Sequence, residues 1–254
     1  MKRFFLFLTL LILTISHADA GDRRVRHLMF SSKALGAKLA LFSPAITGLV
    51  NNDPVSTWSD LSGNGNDATA SGAQRPVWIA QGVAGLPVVR FSGSQVMTHS
   101  LSLGSSPAAA VIVAKVNTAS GNPGIFASCA PNSALGINFN SGYSSTAIAA
   151  YYNSFVYGSV SITGAWHILT QSIASYSATG GVEIGTDGLI DVRTGAGTYG
   201  GDSLERRVIG AGDTAAGYMS GDIGCIIVWD SAVSLALRGR VQQAQGYTFR
   251  IATH

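Results

Sequence analysis

The sequence predicts an all-β protein: an antiparallel two-sheet sandwich with one short C-terminal helix. Three observations carry this expectation. Gly is abundant, at 31 of 254 residues, while only 11% of residues are charged; that mix suits many short strands joined by tight turns. From Leu39 onward, short runs of Val, Ile, Ala, Thr and aromatic residues are punctuated by Gly, Asn, Asp and Pro, and no helical pattern interleaves them. The length suits one domain with a sizeable core, since sandwiches of roughly 200 to 250 residues often fold as a unit.

Residues 1–20 are left out of the fold as a signal peptide. Lys2 and Arg3 form a basic start, Phe4 to Ile15 is apolar, and Ala18-Asp19-Ala20 fits the small-residue cleavage pattern. The apolar run is shorter than the about 20 residues of a membrane span, with an uncleaved anchor as the alternative. The chain is therefore expected to be secreted, periplasmic or at a cell surface. Residues 21–38 form a basic arm: Arg23, Arg24, Arg26, Lys33 and Lys38 stand against Asp22 alone. Without the arm and the signal, nine basic and eleven acidic residues remain from Leu39 onward, so the pI of 9.0 belongs to the arm. A basic arm can bind nucleic acid or anionic surfaces, but in an exported chain a solvated leader is the expectation, with no nucleic-acid partner.

One domain is expected over residues 39–254, with no internal repeat. Leu39 to Phe42 is the first strand, followed by a long excursion to Trp58. Ala68 to Ala84, with Pro76 and Trp78 inside it, is expected to be irregular. Pro87 to Phe91 alternates as a strand does, and Ala108 to Val116 reads as a buried strand. Gly124 to Ser128, Leu135 to Asn140, Thr146 to Tyr152, Phe155 to Val160 and Trp166 to Ala174 follow at short spacing. Gly181 to Ile184 and Leu189 to Arg193 flank Asp187-Gly188, an Asp-Gly hairpin signal. Glu205 to Ile209 and Met219 to Trp229 complete the strands. The helix is then expected after Ser234 as N-cap, with Leu235, Leu237, Val241 and Ala244 inward, Arg238 and Arg240 outward, and Gly246 near its end.

The most distinctive stretch is Trp58 to Asp67, W-S-D-L-S-G-N-G-N-D. Gly63 and Gly65 tolerate positive φ, and short Asn amides can bond back to the local backbone. This loop resembles the W-x-D-x-S-G-N-G-N loop of laminin-G-like jelly rolls in the concanavalin A-like lectin/glucanase superfamily. Leu39-Ala-Leu-Phe42 is similar to that family's opening strand, and Gly85-Leu-Pro-Val-Val-Arg-Phe-Ser-Gly93 to its G-L-P-A-V-x-F-x-G strand. Gly221 to Asp230 resembles its closing strand, again with a helix after it. The resemblance runs from about Leu39 to Ile251 and implies a jelly-roll topology.

Glucanases of that superfamily place carboxylates on one strand as E-x-D-x-x-E. Retaining chemistry needs two carboxyl groups about 5 to 5.5 Å apart. The only Glu residues, Glu183 and Glu205, sit in no such pattern, so the chain is expected not to be an enzyme. Gly201-Asp-Ser-Leu204 spells the GDSL esterase signature, but late in the chain and without D-x-x-H; Ser203 is the residue an unrecognised hydrolase would use. Gly195 to Gly200 matches G-x-G-x-x-G with no helix or acid after it. His99 and His167 have no zinc-ligand spacing.

A structural calcium is a more serious expectation. Asp60, Asn64, Asn66 and Asp67 offer oxygens in the loop, and Asp222 lies at the closing strand. Many members of the resembled family hold calcium near these elements, although Gly224 and Cys225 replace the acidic residues usual there. The alternative is that the Asn and Asp side chains only brace the turn. Cys129 and Cys225, the only cysteines, are left open between a disulfide and two buried thiols.

For sugar binding, aromatic faces and amides are sought at a shallow rim. Tyr143, Tyr151, Tyr152, Asn153 and Tyr157 have that composition, with Trp78 a further candidate; cross-strand packing is the alternative for the Tyr residues. Trp58, Phe91, Trp166 and Trp229 are assigned to core or sheet packing. The expected function is an exported, non-catalytic module that recognises carbohydrate or a surface partner. The alternative is an assembly subunit of a surface layer, appendage or virion, motivated by low charge, the basic arm and a mean hydropathy of +0.29.

Overall fold

The computed structural model describes residues 36–103, 107–117, 123–129, 136–141, 147–152, 154–173, 181–194, 206–211, 217–231 and 233–254. The expected signal peptide and the expected arm up to residue 35 lie outside them, as do Ser203 and Glu205. The strands are β1 (Leu39–Phe42), β2 (Thr57–Trp58), β3 (Ala68–Thr69), β4 (Val77–Val83), β5 (Leu86–Ser92), β6 (Met97–His99), β7 (Ala108–Val116) and β8 (Gly124–Cys129). They continue as β9 (Gly136–Ser141), β10 (Ala147–Tyr152), β11 (Ser154–Ser161), β12 (Trp166–Ile173), β13 (Gly181–Thr186), β14 (Leu189–Thr194), β15 (Arg206–Ile209) and β16 (Ser220–Trp229). Helix α1 (Leu235–Phe249) closes the fold.

Two eight-stranded antiparallel sheets result. The first runs β14-β13-β12-β7-β16-β5-β4, and β1 also pairs with β16; the second runs β11-β10-β9-β8-β15-β6-β3-β2. One side of β16 is shared end to end: Ser220 to Ile223 pair with β5, and Cys225 to Val228 pair with β1. The register against β7 slips between Ile223 and Cys225, which makes Gly224 the bulged residue where the partner changes.

The continuous apolar runs of β7 and β16 follow from burial on both faces of the first sheet. On one face, Ala110, Ile112, Ile226 and Val228 meet Phe126, Phe139, Trp58 and Met97 of the second sheet. On the other, Val111, Val113, Ile227 and Trp229 pack beneath Val241 and Phe249 of α1. Each large apolar side chain buried this way contributes about 1.5 to 3 kcal/mol. The positive mean hydropathy therefore reflects two cores. Exposed large apolar residues among the described ones are Val50 in a loop, Leu189 and Ile190 at the start of β14, and Leu235 and Tyr247 on α1.

Several local expectations need correction. The segment Ala68 to Ala84 is not irregular: β3, a short 3-10 turn at Gly72–Gln74 and the seven-residue β4 lie within it. Its pattern is blurred because β4 is an edge strand whose register slips between Ile79 and Val83. In α1, Ser234 does cap, accepting from Leu237 N at 3.2 Å. Arg238, however, points inward at 2% exposure and Leu235 outward at 60%, because Arg238 is ion-paired to Glu183 of β13. Gly246 lies near the helix end as expected, three residues before Phe249, where a Cβ would come within 2.9 Å of Ile251 O and Thr253 Cγ2 in the returning tail.

Candidate functional site

The Asn/Gly loop joins β2 to β3 and works as a rivet. Asp60 Oδ1 accepts from Ala40 N and Ser62 N, both at 2.9 Å, and Oδ2 from Ser62 Oγ at 2.8 Å and Asn66 N at 3.0 Å. Gly63 and Gly65 take φ of 89° and 73° as anticipated. The backbone acceptors of the Asn amides lie outside the loop: Asn64 Nδ2 donates to Ala37 O at 3.0 Å as well as to Ser62 Oγ within the loop at 2.8 Å, and Asn66 Nδ2 donates to Lys38 O at 2.8 Å. Ser100, just after β6, donates to Asn66 Oδ1 at 3.0 Å. The loop thus ties the approach to β1 in the first sheet to the edge of the second.

This donor set does not fit a calcium ion. Four N–H and O–H groups already occupy the Asp60 carboxylate, and Asp67 Oδ1 accepts from Asp60 N at 2.7 Å. Asn64 and Asn66 present their NH2 groups, not oxygens, to the carbonyls. Asp222 is distant from the loop in role: it holds Arg90, directly across on β5, through Nε at 2.6 Å and Nη2 at 3.0 Å. That bond raises the Arg90 pKa further. Among the described residues no cluster of three His, Cys, Asp or Glu could hold a metal.

Cys225 is a free, buried thiol on the α1 side of the first sheet, where its Sγ accepts from Gln245 Nε2 at 3.3 Å. Cys129 ends β8 in the second sheet, which packs against the opposite face. Burial pushes the Cys225 pKa well up.

The proposed sugar rim is only partly described. Tyr143 and Asn153 lie outside the described residues, as do the side chains of Tyr151, Tyr152 and Tyr157. The backbone pairs Tyr151 with Phe155, Tyr152 with Ser154 and Tyr157 with Ala149. Strand geometry puts positions 151 and 157 on one face and 152 on the other. Trp78 is packed against the inter-sheet core, half-buried, with Nε1 3.5 Å from Ser43 O. Trp58, Phe91 and Trp229 are in the cores as assigned.

A different place has the shape of a binding site: an open cleft of about 470 Å³ lined by Val83, Ala84, Trp166, Asp187, Phe249, Arg250 and the tail Ile251, Ala252 and His254. Four segments far apart in the chain converge there. The β4–β5 turn supplies Ala84, the start of β12 supplies Trp166, the Asp187-Gly188 turn supplies its carboxylate, and the end of α1 supplies Arg250. Asp187 is pinned on all sides. His167 Nδ1 lies 2.7 Å from its Oδ2, Ile168 N donates to Oδ1 at 2.8 Å, and His254 N donates to its carbonyl at 2.8 Å.

The backbone around the cleft is unusual. Among the described residues, four that are not Gly have positive φ: Asn52, Ala84, Asp187 and Arg250. Three of these line the cleft, and such conformations concentrate at functional sites. Trp166, expected only to pack, is half-buried against the α1-side core and contributes its remaining surface to the cleft wall. Only the Asp-Gly turn was legible in the sequence; nothing local marks Ala84, Trp166 or Arg250, because their proximity is a tertiary fact.

No family model matches this sequence, and no curated protein matches it. Solved structures do share the architecture. An arabinofuranosidase complexed with arabinofuranosyl-α-1,2-xylobiose is 14% identical with a TM-score of 0.58, over 77% of this chain and 51% of that one. The binding domain of botulinum neurotoxin serotype D is 13% identical at 0.53, over 86% and 53%. Domain 4 of a GH43 extracellular arabinanase from Geobacillus stearothermophilus, in complex with arabinotriose, is 14% identical at 0.54, over 82% and 97%. The chain thus spans about half of the first two and nearly all of the third. At these identities the likeness establishes the fold alone: an antiparallel β-sandwich.

Proposed function

We propose that this chain is an exported, non-catalytic carbohydrate-binding module of the laminin-G-like jelly-roll kind. The observation that carries the reading is the cleft itself. An apolar wall with an aromatic ring and a few convergent polar groups, in a volume of about 470 Å³, is the usual form of a small-ligand site. The Trp166 ring suits the C–H face of a sugar, and Arg250 and His254 suit its oxygens. The arabinanase domain in complex with arabinotriose adds support, because the likeness spans that domain almost whole.

The absence of chemistry is argued from the carboxylates. Glycosidases need two, whereas among the described residues Asp187 is the one acidic residue lining the cleft, and both of its carboxylate oxygens are engaged. Glu183 is held by Arg238, and Asp222 by Arg90.

The test is a glycan array followed by calorimetric titration, with arabinotriose among the probes. Trp166→Ala should abolish binding. Because Trp166 also packs against the core, Ala252→Trp serves as a second variant, filling the cleft from an exposed position without touching the core. Binding that survives Ala252→Trp in a folded protein would move the site elsewhere.

A further inference from the structure

We infer that the cleft selects sugars bearing a negative charge, with the Arg250 guanidinium as the group that recognises the anion; this rests on the carbohydrate-binding reading above. Arg250 occupies the C-cap of α1 in the left-handed conformation, at φ 54°. That position favours Gly, because a Cβ crowds the neighbouring carbonyl there. The capping work is done by backbone alone: the Arg250 N–H and the Ile251 N–H both donate to Gly246 O. The guanidinium makes no hydrogen bond or ion pair with any described residue, and the residue is exposed. For the fold, then, this is a strained position occupied by a long side chain that forms no hydrogen bond or ion pair among the described residues.

Arg250 lines the cleft. The acidic side chain there is that of Asp187, whose oxygens already accept from His167 Nδ1 and Ile168 N. What Arg250 adds is five N–H donors in a planar fork, which matches a carboxylate or a sulfate with two parallel hydrogen bonds. An uncharged sugar would use that fork poorly. A uronate, a sialate or a sulfated sugar would use it fully, while its ring rests on Trp166.

The test uses the purified chain on an array of uronate- and sialate-terminated oligosaccharides, each beside its methyl ester, with sulfated galactose oligosaccharides as a further arm. The free acids should bind about tenfold or more tightly than their esters at low salt, in line with a hydrogen-bonded charge pair. The sulfated arm distinguishes the two anions: preference for it over the acids assigns sulfate, and the reverse assigns carboxylate. Arg250→Gly should erase the preference for charge, bringing the free acids down to the level of their esters. Its melting temperature should stay level or rise, because Gly relieves the strain at the cap; a merely structural arginine would show the opposite. Equal binding of acids and esters, or a preference that survives Arg250→Gly, overturns the anionic-sugar assignment alone. No binding of any probe, charged or neutral, overturns the carbohydrate-binding reading and this assignment with it.

Discussion

Acidification should destabilise this protein through one buried imidazole. His99 on β6 is 5% exposed and stacks on Phe126, with ring centroids 5.1 Å apart and planes 7° from parallel. Its Nε2 lies 3.0 Å from Ala127 O, and Nδ1 has no partner. Burial lowers its pKa from 6.5 to about 4, against the opposing pull of the Ala127 carbonyl and with a smaller push from the Arg207 charge. The folded state therefore refuses a proton that the unfolded chain accepts below about pH 6.5. Between that pH and about 4, the unfolded state holds one more proton, so stability falls as pH falls. Below about pH 4 both states are protonated and the loss is complete. A shift of this size corresponds to about 3 kcal/mol at 1.36 kcal/mol per pKa unit. The assay is urea unfolding from about pH 7.5 to about pH 3.5, on the wild type and on His99→Gln, which cannot titrate. The variant loses the stack on Phe126 and so starts lower, but the gap between the two curves should narrow by about 3 kcal/mol over that interval. Parallel curves would refute the reasoning, since carboxylate titrations common to both proteins cancel in the difference.

Three further outcomes test the rivet and the packing. Asp60→Asn leaves an NH2 group facing hydrogen-bond donors and should cost about 2 to 4 kcal/mol in chemical denaturation, because at least two buried donors lose their acceptor. Calcium should leave the wild-type melting temperature unchanged relative to chelator; a rise that grows with calcium concentration would show that the loop oxygens are free after all. Gly210→Ala should cost about 2 to 4 kcal/mol by the same measurement, as backbone strain and overpacking add. Gly210 has a φ of 81°, and a Cβ there would sit 2.2 Å from Phe91 Cδ1.

By itself, the sequence determined the class of fold and much of its strand inventory. β1 and β7 fall where their apolar runs begin and end, because a strand buried on one or both faces must be written in its own residues. Ser234 and the Asp187-Gly188 turn were equally legible, since capping and φ above zero are local demands with few suitable residues. What the tertiary structure alone decided is where those demands are met from outside the segment. The W-S-D-L-S-G-N-G-N-D loop announced an exacting shape, yet its amides serve carbonyls of Ala37 and Lys38, more than twenty residues earlier in the chain. Arg238 reads as a surface residue until Glu183 of another strand draws it under the helix. The cleft is the extreme case. Ala84, Trp166, Asp187 and Arg250 carry no shared motif, and only the closing of two hairpin turns against the end of one helix gives them a common wall.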